Sequence, residues 1–366
     1  MKILITGLGG IGQRHLRNLR ALLGAGAEIN AVDLRRNIPV LTDQLQVEAG
    51  TTLEEKYALH IYPDLEPALD WKPDLVFVCN PTSLHVPTAL RAAQAGCALF
   101  IEKPLSHTFE QVDELIRLVE THNLKTAVGY QMRFHPCLQR LFVLLQEKKV
   151  GRILSVRAEI GEYLPGWHSY EDYRQMYASR QDQGGGVILS QIHEMDYLYW
   201  LFGLPRRVYA LGGHLSSLEV DVEDTAEILM DYEMDGRSVP VSLHQDYLQH
   251  PPRRTCEVIG DKGKILVNLA ALRVDVFYGS DGHAESSSFE GFQRNQMFMD
   301  ELKYFLDSLR GRPVSSVSSR ISYGTGQGTP GSLVSVREAA HSLRMALAAK
   351  ESLAMGKVVE LTRDVE

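Results

Sequence analysis

The chain has 366 residues, 44% hydrophobic and 23% charged, with a formal net charge of −8 and a pI of about 5.9. That length suits two domains, and the acidic balance argues against nucleic acid or an anionic membrane as the main partner. No stretch reaches the roughly 18 apolar residues of a membrane span; Cys79, Cys97, Cys137 and Cys256 show neither C-x-x-C nor metal-ligand spacing and read as reduced thiols of a cytoplasmic protein.

The opening MKILITGLGG is too short in its apolar part for a signal-peptide core and reads as a first strand. Residues 3–6 (ILIT) have the continuous apolar pattern of a strand buried on both faces. G-L-G-G-I-G follows: Gly7, Gly9 and Gly12 fit G-x-G-x-x-G with Gly10 and Ile11 between them, and Leu16, Leu19 and Leu22 mark one side of a helix. In this pattern the first glycine makes the tight turn, the second lets a pyrophosphate approach the backbone, and the third lets helix and strand pack closely. The helix N-terminus then offers free N–H groups to the phosphates. A second strand ends in Ala31-Val32-Asp33, placing a carboxylate 21 residues after Gly12, where it suits adenosine ribose hydroxyls. A plain glycine-rich loop with a capping aspartate would lack this strand–turn–helix–strand context. Arg35 and Arg36 have the chemistry to hold a 2′-phosphate, but Asp33 repels one, so the expected cofactor is NAD, with NADP the second choice.

The alternation continues. Leu75–Cys79 is a buried strand ending in Asn80-Pro81-Thr82, His85–Ala95 is a helix closed by Gly96, and Ala98–Ile101 is the next strand. Alternating strands and helices imply a parallel sheet with ligands at the carboxyl ends of its strands. Glu102-Lys103-Pro104 ends a buried strand on that rim, where a charged pair is costly unless something uses it.

After a short strand at Thr126–Val128 come Tyr130, Arg133 and His135; Arg133 suits either an anionic group or backbone carbonyls. Residues 161–180 (GEYLPGWHSYEDYRQMYASR) hold five tyrosines or tryptophans, among them Tyr163 and Trp167, and two arginines, Arg174 and Arg180. Rings mixed with polar groups suit sugar recognition and equally a subunit interface; the substrate reading is preferred, with an arginine taking the phosphate of an activated or anionic sugar. His193-Glu194 is not a zinc motif, because Tyr197 stands where H-E-x-x-H needs its second histidine, and no metal is expected. Residues 205–280 alternate as antiparallel strands, with Asp261-Lys262-Gly263 as a tight turn. Such an open sheet needs its outer face covered, which implies a homodimer or homotetramer through that face. Gln293–Leu309 and Val336–Met355 read as helices, and residues 312–333, rich in Ser and Gly, as a mobile loop or lid.

Four motifs together resemble the Gfo/Idh/MocA oxidoreductases, relatives of glucose-fructose oxidoreductase and inositol dehydrogenase: G-L-G-G-I-G, C-N-P-T-S-L-H (79–85), E-K-P-L-S (102–106) and G-Y-Q-M-R-F-H-P (129–136). G-G-G-V-I-L-S-Q-I-H-E-M-D and I-G-D-K-G-K-I extend the likeness into the second half. The resemblance implies a Rossmann domain over residues 1–125. A C-terminal α/β domain with a large open, mainly antiparallel sheet then covers 126–366, its last helix packing back toward the first domain. It implies cofactor contacts from Gly7, Gly9, Gly10, Ile11, Gly12, Asp33, Arg35, Asn80, Pro81, Thr82, His85, Glu102 and Lys103. It also implies substrate contacts from Lys103, Tyr130, Arg133, Tyr163, Trp167, Arg174, Gln191 and His193, with Lys103 and His193 catalytic. Relatives commonly carry an aspartate four residues before that histidine; here it is Leu189, so Lys103 and His193 must share the proton work.

The implied activity is NAD(P)-dependent hydride transfer at a secondary alcohol or ketone of a sugar, cyclitol or nucleotide-linked sugar. Lys103, whose free pKa is near 10.4, becomes a usable base if burial lowers it, and His193 titrates near neutrality unaided. A hydrolase or lyase with no net redox change, and a non-catalytic NAD(P)-binding sensor, are the alternatives.

Overall fold

The computed structural model describes residues 1–35, 37–279, 282–312 and 332–361. Arg36 and most of the 312–333 segment therefore lie outside the described residues.

The first half runs β1 (Lys2–Thr6), α1 (Gly10–Leu23), β2 (Glu28–Val32), a small hairpin of β3 (Val40–Leu41) and β4 (Val47–Glu48), α2 (Leu53–Tyr57), β5 (Ile61–Tyr62), α3 (Leu65–Asp70), β6 (Leu75–Val78), α4 (His85–Gln94), β7 (Ala98–Ile101), α5 (Val112–Thr121) and β8 (Thr126–Val128). Six strands form one parallel sheet in the order β5-β2-β1-β6-β7-β8. Its central strands are fully buried, as continuous apolar runs require: Ile3, Leu4, Ile5, Leu75, Val76, Phe77 and Val78 have no exposed surface. The boundary expected at residue 125 moves, because β8 pairs with β7 and completes this sheet.

The second half contains α6 (Pro136–Gln146), β9 (Ile153–Gly161), α7 (Val187–Ser190), α8 (His193–Phe202), β10 (Arg207–Gly213), β11 (Thr225–Met234), β12 (Arg237–Asp246), β13 (Arg253–Gly260), β14 (Gly263–Asn268), β15 (Arg273–Tyr278), β16 (Ala284–Ser288), α9 (Arg294–Leu309), α10 (Val336–Met355) and β17 (Val359–Glu360). Nine strands form its sheet, ordered β16-β15-β14-β13-β9-β12-β11-β10-β17, and all pairs are antiparallel except β12 with β9. The last two long helices return to the first half. Leu302, Phe305 and Leu306 of α9 join the core beneath the parallel sheet, and Asn295 exchanges hydrogen bonds with Asn18 of α1 at 2.9 and 3.2 Å. From α10, Arg337 pairs with Glu120 of α5.

The outer face of the large sheet is rich in charge. It carries ion pairs: Arg253 with Glu159, Lys264 with Glu257, Arg273 with Asp275, and His244 with Glu227. The same face also exposes Leu211, Leu229 and Phe277, so it is a mixed surface of ion pairs and apolar side chains. Within this face His244 sits between Glu227 at 2.6 Å and Asp246 at 2.7 Å. Hydrogen bonds from Asp246 and then Glu227 outweigh burial and lift its pKa to about 9. A raised histidine pKa stabilises fully below the unfolded value of about 6.5 and loses that contribution as pH rises through the folded value. The urea midpoint is expected to fall between these two pH values in the wild type, with that step absent in His244→Gln.

Arg133 also departs from expectation. It is fully buried, its Nε and Nη2 donate to Asp196 of α8 at 2.8 and 2.7 Å, and its Nη1 donates to Glu338 of α10 at 2.5 Å. Every guanidinium nitrogen is committed to carboxylates that tie the turn after β8 to two helices, so none reaches a substrate. Removing one partner of a buried ion network strands the others and typically costs about 3–5 kcal/mol. Arg133→Ala is expected to lose stability of that order, read from the urea midpoint.

Candidate functional site

The glycine loop is shaped by contacts that exclude side chains at two positions. Gly7 has φ +88°, and a Cβ there would lie 2.7 Å from the Cys79 carbonyl oxygen; at Gly12 it would lie 1.9 Å from the Gly7 carbonyl oxygen. Gly9, by contrast, faces open space. It caps α1, leaving the backbone N–H groups of Gly10 and Ile11 at a helix start with no acidic residue in its first turn. The Asp33 carboxylate lies beside this loop and accepts the Leu8 N–H at 2.7 Å. Burial alone would raise its pKa, but hydrogen bonds from Arg35 and Leu8 prevail and keep it below the usual carboxylate range. Arg35 is folded back on Asp33, with Nε and Nη2 at 3.0 and 2.8 Å from the two carboxylate oxygens. An open glycine, a helix start and an ionised carboxylate together fit a dinucleotide's pyrophosphate and ribose.

Three residues expected to touch a cofactor also hold the rim loops together. His85 is buried and places one ring nitrogen 2.7 Å from the Pro104 carbonyl and the other 2.9 Å from that of Asn80, joining two rim loops. Asn80 donates its side-chain amide to Thr88 at 2.8 Å and leaves its side-chain oxygen Oδ1 unpartnered among the described residues. Thr82, next to Pro81, is buried against Gly184. Glu102 points down from the rim: its carboxylate is 2.6 Å from His15 Nε2 of α1 and accepts the Lys103 N–H at 3.2 Å.

Lys103 turns toward the second half. Its ammonium donates to the Ser190 carbonyl at 2.8 Å, so a backbone oxygen at the end of α7 does the anchoring that Leu189, buried and apolar, cannot. His193, at the start of α8, lies with its Nε2 3.1 Å from the Gln131 amide nitrogen, and its Nδ1 has no partner among the described residues. Burial first, and then the cations Lys103, Arg254 and Arg294, push its pKa well below the ordinary value. The expectation that His193 titrates near neutrality is therefore wrong: the ring is neutral. Gln191 donates to the Asp246 carbonyl at 2.9 Å, and its own side-chain oxygen, like that of Gln131, is buried without a partner. Sequence reasoning missed Gln131, although it lies between Tyr130 and Arg133, which were both chosen.

The remaining substrate candidates do not converge here. Tyr130 is fully buried and packs edge-on against His193 at 5.9 Å, supporting the ring from behind. Tyr163 is exposed, and Trp167 packs on Tyr247 at 5.4 Å. Arg174 is at the surface, held by Asp172 at 2.9 Å and Glu219 at 2.7 Å, and Arg180 lies near Asp182 and Asp221. Surrounded by carboxylates, neither arginine is placed to receive a phosphate, so the preference for an anionic sugar loses its support.

Residues 1–130 match the model of the oxidoreductase family with an NAD-binding Rossmann fold, and residues 138–266 match the GFO/IDH/MocA C-terminal domain. The chain belongs to the Gfo/Idh/MocA family. Among relatives, it is 25% identical over 365 residues to an uncharacterized oxidoreductase, YrbE, of Bacillus subtilis, covering 98% of this chain and 95% of that one. It is 24% identical over 259 residues to the 2,7-anhydro-N-acetylneuraminate hydratase of Mediterraneibacter gnavus, covering 68% and 67%. The WlbA dehydrogenase of Bordetella pertussis, solved with NADH and UDP-GlcNAcA, shares the fold, with a TM-score of 0.75 at 20% identity over 100% of this chain and 99% of that one. The first half is thus an NAD-binding Rossmann domain, and no helix among the described residues is long and apolar enough to cross a membrane.

Asp33→Ala is expected to weaken NAD binding by about 1–3 kcal/mol, the range for losing a charged acceptor, and to reduce discrimination against NADP. Calorimetric titration with both cofactors measures each effect.

Proposed function

We propose that this member of the family moves a hydride between NAD and a secondary alcohol or ketone of an uncharged sugar or cyclitol, with Lys103 as the proton-transfer group. A bound nicotinamide supplies the hydride-exchanging carbon. Lys103 takes the hydroxyl proton in oxidation and returns it in reduction, from a position fixed by the Ser190 carbonyl. His193, held neutral, accepts the Gln131 amide at Nε2 and so carries its proton on Nδ1, a donor for a substrate oxygen. The unpartnered side-chain oxygens of Gln131 and Gln191 suit the hydroxyl donors of a polyol. The observation that carries the reading is geometric: the Lys103 ammonium is anchored on the Ser190 carbonyl, and the buried His193 ring is held by the Gln131 amide.

Lys103→Met is expected to lower kcat by about 100-fold or more, with NADH affinity changed by no more than about twofold. His193→Ala should cost less, because it removes a hydrogen-bond donor and leaves the base. Near-normal turnover in the lysine variant would overturn the assignment.

The hydratase relative supports a second reading, in which the same hydride step is reversed within one turnover and no net redox change results. Following NADH absorbance alongside product formation separates the two: product without accumulated NADH selects the second.

A further inference from the structure

Two adjacent arginines of β13 go to opposite faces of the large sheet. Arg253 joins the charged outer face through Glu159. Arg254 alternates with the buried Cys256 and Val258 and so lies on the inner face, in register with Ile160 of β9. Its Nε and Nη2 donate to the two carboxylate oxygens of Glu194 at 2.7 and 2.9 Å. Glu194 is fully buried and follows His193 in the first turn of α8, so the guanidinium is fixed beside the His193 turn. The third nitrogen, Nη1, has no partner among the described residues, and the side chain keeps 17% of its surface exposed.

That open nitrogen separates Arg254 from Arg133, whose three nitrogens are all committed to carboxylates. A buried pair that only holds a helix to a sheet is replaceable by apolar side chains without loss of stability; one that leaves a donor open has something to offer a ligand. The surroundings agree. Burial and then the Arg254 charge push the pKa of His135 down to about 3, and the same charge acts with Lys103 on the buried His193. Glu194 and Glu162 are the carboxylates that act on the guanidinium.

We infer that Arg254 is a specificity-determining residue: its Nη1 donates to a hydroxyl oxygen of a neutral polyol, on a carbon other than the one that reacts. The inference rests on the polyol site proposed above. Glu194 cancels the guanidinium charge, so the group offers a strong, directed donor without a net attraction for an anion. A hydroxyl oxygen accepts from Nη1 while its own proton remains for an amide oxygen. A contact away from the reacting carbon then decides which of several hydroxyls faces Lys103.

Arg254→Lys keeps a cation on Glu194 and removes Nη1. Calorimetric titration of the NADH-loaded enzyme, which cannot oxidise an alcohol, with myo-inositol, D-glucose and D-glucuronate reads the contact without turnover. The wild type is expected to bind a neutral polyol at least as tightly as glucuronate. Arg254→Lys should weaken that polyol about tenfold, the scale of one hydrogen bond to a charged group, with NADH affinity changed by no more than about twofold. Glu194→Gln uncovers the charge and should shift the ratio of glucuronate to glucose affinity about tenfold toward glucuronate; this ratio decides if Arg254→Lys loses NADH binding. Unchanged polyol affinity in Arg254→Lys, or an unchanged ratio in Glu194→Gln, overturns the assignment. So does a wild type that binds neither neutral polyol or prefers glucuronate. Loss of NADH binding in both variants would make the pair a brace of the fold, and also overturns it. Weakened polyol binding in a protein that forms no NADH from NAD and any of the three leaves Arg254 in place and removes the hydride reading alone.

Discussion

The buried carboxyl group of Glu102 couples the glycine loop to Lys103, the proposed proton-transfer residue. It leaves the end of β7, reaches His15 in the second turn of α1, and accepts the backbone N–H of Lys103, the next residue. Buried polar groups persist where they are hydrogen-bonded, and Glu102 is held by groups from opposite sides of the sheet's rim. The helix that presents phosphate-binding N–H groups and the loop that presents Lys103 are thereby in fixed register. Gly129 is part of the same arrangement, because a Cβ there would lie 3.0 Å from the Glu102 carboxylate.

Charge is distributed by distance from the reaction. Arginines are neutralised where they are buried: Arg133 by Asp196 and Glu338, and Arg254 by both oxygens of Glu194 at 2.7 and 2.9 Å. Around the proposed centre lie Lys103, the buried His193 and the side-chain amides of Gln131 and Gln191. Such a cavity can move a proton without trapping it, since an amide neither gives up nor takes a proton at any relevant pH.

Much of the first half was legible because its information is local. The glycine spacing, the apolar runs and Asp33 lie within short windows whose physics does not depend on the rest of the chain. Arg133 was misread for the opposite reason: its partners Asp196 and Glu338 lie 63 and 205 residues away. The same holds for Glu102, whose partner is 87 residues upstream. Arg174 is different, since Asp172 stood two residues before it and already argued for a local ion pair. The charges of the outer sheet face were also readable, because Glu159, Glu227, His244 and Glu257 alternate with buried residues along their strands.

The return of α9 to the first domain has a consequence for how this protein is made. Leu302, Phe305 and Leu306 fill the core under strands that leave the ribosome near the beginning of synthesis, and Phe305 lies 5.7 Å from Phe100, ring to ring. At roughly 5–20 residues per second, those strands wait on the order of ten to forty seconds for the side chains that cover them. During that interval a nascent chain presents an apolar underside to solvent or to a chaperone. An early stop or a fragment cut after the Rossmann segment keeps that surface uncovered permanently, so the N-terminal half is a domain by topology without being an autonomous folding unit.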